Sequence, residues 1–444
     1  MTRVVKISLL IICSVALAVA AGMALYRFIS HRVHLPHLTE EREIYLPAER
    51  GDIFDRDGNT LASSVRLYDV YLDCAIIQSE DEWREKTLAL APQLSALFPA
   101  RSESEWWDYL QAGRKQNKRY WNIVKGVSPE TKDSLSRLPV FDMGQFKGGA
   151  IYESWQKRVY PFGRLARRTL GYVKGNDAKV GLEGSYDSDL RGQPGMQTVR
   201  SGWYKSERRQ VVTNHVAPEN GKDLYTTLDM RIQALADSAL RITMKEEPGI
   251  ERTMLLVMDQ ETGAIRSMVS LSRSANDGEI GEYYNYCIGQ HYLMEDMEYK
   301  GHRLSEFCLP GDMDFDLEGR RIPEFPADAP GMVKVSLLDI LSICNTIAGS
   351  GRRVQPYLVE SVQRDGEPFY RHEVNVLERP AVPEGDYAVW SERLPAISID
   401  GAGMVIQFLP KYTILYVLEG TQPMPIRFFG GISHVVEVCN SKRL

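Results

Sequence analysis

The chain has 444 residues, with 53 Lys and Arg against 59 Asp and Glu, for a formal net charge of −6. It is 43% hydrophobic and 25% charged, with 35 Gly and 22 Pro, which excludes wholesale disorder and a collagen-like or Pro-rich fibre. The mild acidity argues against a nucleic-acid partner, because neutralising phosphates needs a basic surface.

At about 100–200 residues per domain, this length holds two to four domains. Residues 7–26 form an uncharged apolar run. Twenty residues at about 1.5 Å each reach roughly 30 Å, the thickness of a bilayer core, so the run is expected to be a retained transmembrane helix. Ala18-Val19-Ala20 offers the rival reading, a cleavable signal peptide, but the run is longer than an ordinary signal core. His31, His34 and His37 follow at three-residue spacing; Pro36 interrupts a helix there, and a solvated linker is expected rather than a metal site. The six cysteines (Cys13, Cys74, Cys287, Cys308, Cys344, Cys439) include no Cys-x-x-Cys pair, which removes zinc-knuckle and thioredoxin-like readings.

Beyond the linker, Tyr68 to Leu72 alternates like a strand, and Asp57-Gly58-Asn59 signals a turn. Ser79 with Glu82 predicts a capped helix through Leu97, with Trp83, Leu88, Leu94 and Leu97 on its core face. A second helix is expected over 103–121; its Trp106 and Trp107 could stack on sugars, although packing between helices explains them more simply. Residues 229–244 predict a helix whose Ile232, Leu235, Ala236, Ala239 and Leu240 share one face. Residues 254–270 read strand, turn, strand, and 335–348 a helix closed by Gly349-Ser350-Gly351. Two apolar runs, Met404 to Leu409 and Tyr412 to Leu418, predict a final hairpin. The natural class is α+β.

Three motifs in order then carry a resemblance. Arg50-Gly51-Asp52-Ile53-Phe54-Asp55-Arg56-Asp57-Gly58 comes first, and Arg158-Val159-Tyr160-Pro161-Phe162-Gly163 with Leu170-Gly171-Tyr172 second. Gly181-Leu182-Glu183-Gly184 with Tyr186-Asp187 is the third. Together, after a single apolar run, they resemble the class B penicillin-binding proteins. Leu224 to Asp229, with Gln233, and Val257-Met258-Asp259 resemble the opening of that family's transpeptidase domain.

The resemblance implies an anchor over 1–27, a linker over 28–42, a β-rich pedestal of the dimerisation type over 43–215 and a transpeptidase-like domain over 216–444. It implies a single-pass protein of the bacterial cytoplasmic membrane with its bulk in the periplasm. Expected partners are a wall-synthesis membrane glycosyltransferase, other wall-assembly proteins and peptidoglycan itself. No cofactor or metal is implied. Arg50, Gly51, Asp55, Arg56, Gly58, Arg158, Tyr160, Pro161, Gly163, Gly171, Gly181, Glu183 and Gly184 are the pedestal signature, and ion pairing is the simplest role for its charged members.

A working member of the family needs Ser-x-x-Lys, Ser-x-Asn and Lys-Thr-Gly, the first of which places a nucleophile one helical turn from an amine. Here Lys300 falls where that Lys is expected, and Met297 stands in place of the Ser. A thioether has no proton to lose. The one Ser-x-x-Lys, Ser154 to Lys157, precedes the second signature, and the one Ser-x-Asn, Ser274-Ala275-Asn276, lies before the nucleophile position. No Lys-Thr-Gly occurs. Only 31 positions separate Lys300 from Gly331, too few for the family's helical block, so a shortened transpeptidase-like domain is expected. No catalytic residue is therefore assigned. Cys287 or Cys308 could act as a substitute nucleophile, but buried structural cysteine is the simpler reading. Three functions remain: a non-catalytic scaffold or regulator of peptidoglycan synthesis, a divergent D,D-transpeptidase that binds β-lactams, and a peptidoglycan-binding module.

Overall fold

The computed structural model describes residues 18–19, 21–23, 26–27, 37–174, 178–204, 207–311, 313–393, 399 and 402–420. Most of the expected membrane span, His31, His34 and Gly430-Gly431 lie outside the described residues. Among those described, no helix is long and apolar enough to cross a membrane. The chain divides into two compact units built from interleaved segments: Met1–Ala48, Leu67–Trp155 and Gln193–Glu219 in one, Glu49–Arg66, Gln156–Gly192 and Asn220–Leu444 in the other. The first and second signatures thus group largely with the C-terminal half of the sequence.

In the first unit, Ser79 caps the helix Glu80–Leu97 by accepting from the Glu82 amide. Ser102 and Glu105 form a capping box at the start of the helix Glu103–Lys115. Trp83, Thr87, Leu90, Ala91 and Leu94 make the buried stripe of the longer helix. Leu88 does not belong to it: five positions from Trp83, it is turned well off the stripe and is 60% exposed. Leu97 is only half-buried. Trp83, Leu94, Trp106 and Leu110 share one core with Ile123.

The second helix stops at Lys115, not 121. Asn117 takes a φ of +52°, and Trp121–Val127 leaves as a strand that pairs antiparallel with residues 68–72. Trp121 thereby serves a sheet, where aromatic side chains fit well. Separately, Gly195–Tyr204 runs between His37–Leu46 and Glu207–Val216 in an antiparallel three-stranded sheet.

The second unit is organised by a five-stranded antiparallel sheet in the order Ile280–Gly281, Ile265–Arg273, Ile250–Asp259, Tyr412–Gly420, Ala402–Phe408. Side chains alternate across a strand, so the unbroken apolar run from Met254 to Met258 must bury both faces. Leu255 and Val257 pack with Ile232, Ala236 and Leu240 of the helix Met230–Glu246. Met254, Leu256 and Met258 turn the other way, into the core that includes Ile340, Leu341 and Cys344 of the helix Leu337–Ala348. Each such side chain contributes about 1.5–3 kcal/mol by leaving water.

Polar side chains fix the two helices to the sheet. Gln233, fully buried, donates to the Met268 carbonyl at 3.0 Å and accepts from Ser267 Oγ and the Met268 amide, both at 2.9 Å. Thr413 Oγ1 donates to Asn345 Oδ1 at 2.8 Å. The helix expected from Val335 begins at Leu337, because Ser336 and Asp339 cap it and Met332–Val335 is a strand. A short strand, Asp223–Thr226, lies parallel to Ile53–Phe54 and antiparallel to Val359–Arg364, which pairs in turn with Glu367–Arg371. Between Lys300 and Gly331, the described residues form a 3-10 turn at Leu304–Phe307 and no α-helix.

Candidate functional site

The charged signature residues converge within the second unit. Glu183, 1% exposed, accepts from Arg50 Nε at 2.7 Å through Oε2 and from Arg158 Nε at 2.6 Å through Oε1. Arg50 also donates to Asp187 Oδ1 at 2.7 Å and to the Glu183 carbonyl at 2.9 Å. Arg158 reaches Ser64 Oγ at 3.0 Å. Burial works against the charge on Asp187, but Arg50 and Lys179 more than offset it and hold that carboxyl below its ordinary range. The cluster uses its charges on itself.

The remaining signature residues shape turns and close contacts. Asp55, 1% exposed, accepts from the amides of Asp57 and Asn59 and from Asn59 Nδ2, closing the loop that ends the first signature. Gly58 sits in that loop with a φ of +84°. The Arg56 amide donates to the Leu228 carbonyl at 3.0 Å, and its guanidinium lies 3.8 Å from Asp229. Tyr160 Oη donates to the Gly171 carbonyl at 3.2 Å, and Pro161 leads into the turn in which the Gly163 amide returns to the Tyr160 carbonyl. Gly51, Gly181 and Gly184 each sit where a side chain would strike neighbouring backbone.

Met297 and Lys300 do not share a helical turn. They flank Glu298–Tyr299, which pairs with His302–Arg303 in a small hairpin. Lys300 and Gly301 are its two turn residues, with φ of +51° and +81°, the left-handed pair of a type I′ hairpin turn. Lys300 Nζ bonds Asp386 Oδ1 at 2.7 Å. Asp296 accepts from the Ser305 amide and Oγ at 2.8 and 2.9 Å, so that hydroxyl is committed to a carboxylate.

The other candidate groups are equally separated from reactive geometry. Ser154 and Lys157 lie on one strand, Ala150–Val159, where positions three apart face opposite ways. Ser274-Ala275-Asn276 forms a local turn, with the Asn276 amide donating to Ser274 Oγ. Cys74, Cys287, Cys308 and Cys344 are free and buried. Burial raises all four thiols, Cys74 and Cys344 to about 12, away from the thiolate needed for attack. Among the described residues, no group of three or more His, Cys, Asp or Glu is placed to hold a metal ion.

The motifs gave no sign of a cavity of about 780 Å³ in the second unit, lined by Tyr186, Phe315, Tyr357, Tyr370 and His372 among others. Its residues come from four stretches of sequence spread over nearly two hundred positions. Only Tyr186 belongs to a signature, and no spacing rule links it to Tyr357.

Residues 45–226 match the family model of the Penicillin-binding Protein dimerisation domain. The Peptidoglycan D,D-transpeptidase MrdA of Salmonella typhimurium (strain SL1344) is 29% identical over 247 residues, which cover 50% of this chain and 36% of that protein. Penicillin Binding Protein 2X from Streptococcus thermophilus superposes with a TM-score of 0.67 at 15% identity, over 90% of this chain and 80% of that one. Penicillin-Binding Protein PBP2 of Helicobacter pylori, solved in complex with MreC, gives 0.54 at 14% identity, over 91% and 100%. The chain thus spans little more than a third of the length of the curated relative, and the solved structures share its fold. By the match over residues 45–226 and by its named relatives, the chain is similar to the class B penicillin-binding proteins, and its fold is that of their solved structures.

Proposed function

We propose that this chain is a non-catalytic, membrane-anchored scaffold or regulator of peptidoglycan synthesis. One observation carries the reading: Met297 and Lys300 flank a hairpin strand, and the Lys300 ammonium is bonded to Asp386. Acyl transfer by the family's route needs a hydroxyl whose proton a neighbouring amine can take. The Arg50–Glu183–Arg158 cluster, in contrast, is fully assembled. A chain that retains the ion pairs of the signature without the reacting pair is suited to binding rather than turnover.

The partners we propose are a membrane glycosyltransferase of wall synthesis and other wall-assembly proteins. The complex of the Helicobacter relative with MreC supports that class of partner. Residues 7–26 would hold the protein in the cytoplasmic membrane, with the bulk of the chain in the periplasm.

The test is labelling of the full chain in membranes with a fluorescent penicillin, beside an active penicillin-binding protein. No covalent band is expected from folded, membrane-bound protein. A heat-stable band lost on competition with unlabelled β-lactam would overturn the proposal, and peptide mapping would then identify the nucleophile.

A further inference from the structure

The helix Asp386–Arg393 has eight residues, about 12 Å of length, and helices that short do not hold themselves together in water. Its integrity therefore depends on what it touches. Three of its hydrogen bonds return to its own lead-in: the Asp386 amide donates to the Pro383 carbonyl, the Tyr387 amide to that of Glu384, and Tyr387 Oη to that of Pro380. Among the described residues, one hydrogen bond joins the helix to anything beyond that segment, from Lys300 Nζ to Asp386 Oδ1 at 2.7 Å.

That bond is lopsided, because the Asp386 side chain is 10% exposed and the Lys300 side chain 59%. Lys300 reaches it from a left-handed turn position that favours Gly, Asn or Asp, so the bond and not the turn accounts for a lysine there. The rest of the attachment is aromatic. Trp390 meets Tyr299 and Phe307 at ring-centroid distances of 6.3 and 5.6 Å, Tyr387 meets Phe307 at 6.0 Å, and the Arg393 guanidinium lies 4.7 Å from the Tyr299 ring centre. Asp386, Trp390 and Arg393 follow one another at four and three positions, so a single stripe of the helix meets the hairpin. Trp390 is fully buried, yet its Nε1–H has no acceptor, so attachment leaves one donor unmet.

We infer that this helix is a detachable strap on the Met297–Lys300 hairpin, fastened by Lys300, and that it leaves while the five-stranded sheet stays folded. Salt weakens an ion pair that has one exposed partner. Once the ammonium is lost, a buried carboxylate stands uncompensated, which favours carrying Asp386 out to water over leaving it in place. Departure uncovers Tyr299, Phe307, Tyr387 and Trp390, rings that otherwise face one another. None of this depends on whether the chain turns over a substrate.

The test is hydrogen exchange followed by mass spectrometry on the purified full chain in detergent, comparing peptides over 386–393 and 250–259. Lys300→Gln is expected to speed exchange over 386–393 by about tenfold or more and to leave 250–259 unchanged. Raising KCl from about 0.05 to 0.5 M should move the native protein the same way. Lys300→Gln with Asp386→Asn leaves no buried charge behind and should regain most of the native protection. Unchanged exchange over 386–393 in Lys300→Gln, a rise shared by 250–259, or a double variant as labile as the single one would each overturn the inference.

Discussion

Arg50 Nε and Glu183 Oε2 stand 2.7 Å apart across 133 positions of sequence. Arg158 approaches the opposite oxygen of the same carboxylate, so one buried anion serves two guanidiniums. Removing one member of a buried pair leaves uncompensated charge, at a cost of about 3–5 kcal/mol. Glu183→Gln should therefore lower unfolding free energy by about 3 kcal/mol in urea titrations. A loss below about 1 kcal/mol would mean that the pairing contributes little.

Two glycines of the second signature should respond differently to alanine. Gly171 has a φ of +78°, and a Cβ there would lie 1.7 Å from the Val180 carbonyl oxygen. Gly163 has a φ of +63° with open space around it. Gly163→Ala should cost only about 1 kcal/mol, the left-handed penalty alone. Gly171→Ala should cost several times more and lower the melting temperature well beyond that of Gly163→Ala.

Stability should fall as pH rises towards neutrality because of Glu282. Burial, aided by Asp237, raises its carboxyl from the ordinary 4.5 to about 7, despite the Arg168 amide and Arg241. The folded state then holds a proton that the unfolded state releases, so the contribution is complete below about 4.5 and lost through about 7. Glu282→Gln should flatten this slope and stabilise the protein at pH 8 by on the order of 2 kcal/mol. Parallel stability–pH curves for both proteins would exclude Glu282 as the source.

Thiol accessibility checks the substitute-nucleophile reading. Cys287 and Cys308 are 0% and 8% exposed, and burial keeps both protonated. A disulfide reagent should modify them in the native protein orders of magnitude more slowly than in the unfolded protein. Fast native modification mapped to either would reopen cysteine chemistry.

The sequence is legible wherever one residue type answers one local need. Ser79 and Asp229 mark helix starts because their side chains satisfy first-turn amides, and both helices begin there. The run from Met254 to Met258 predicts a buried strand because apolar residues at consecutive positions need two cores. Other features depended on distant partners. Trp121 looked helical until its pairing with Leu72 is known, and Leu88 is apolar yet faces solvent. Residue type alone marks Glu183 as an ion-pair partner for arginine, but does not show that both arginines share it. The cavity around Tyr357 and His372 had no local signal at all.

The weaving of the chain between its two compact units has a consequence for dissection. The sequence passes from one unit to the other at 48/49, 66/67, 155/156, 192/193 and 219/220. A fragment beginning at 216 would lack Ile53–Phe54, the parallel neighbour of Asp223–Thr226, together with Arg50, Arg158 and Glu183. No single cut can liberate either unit whole, so a truncation that abolishes partner capture would report on lost architecture before it reported on a lost binding surface.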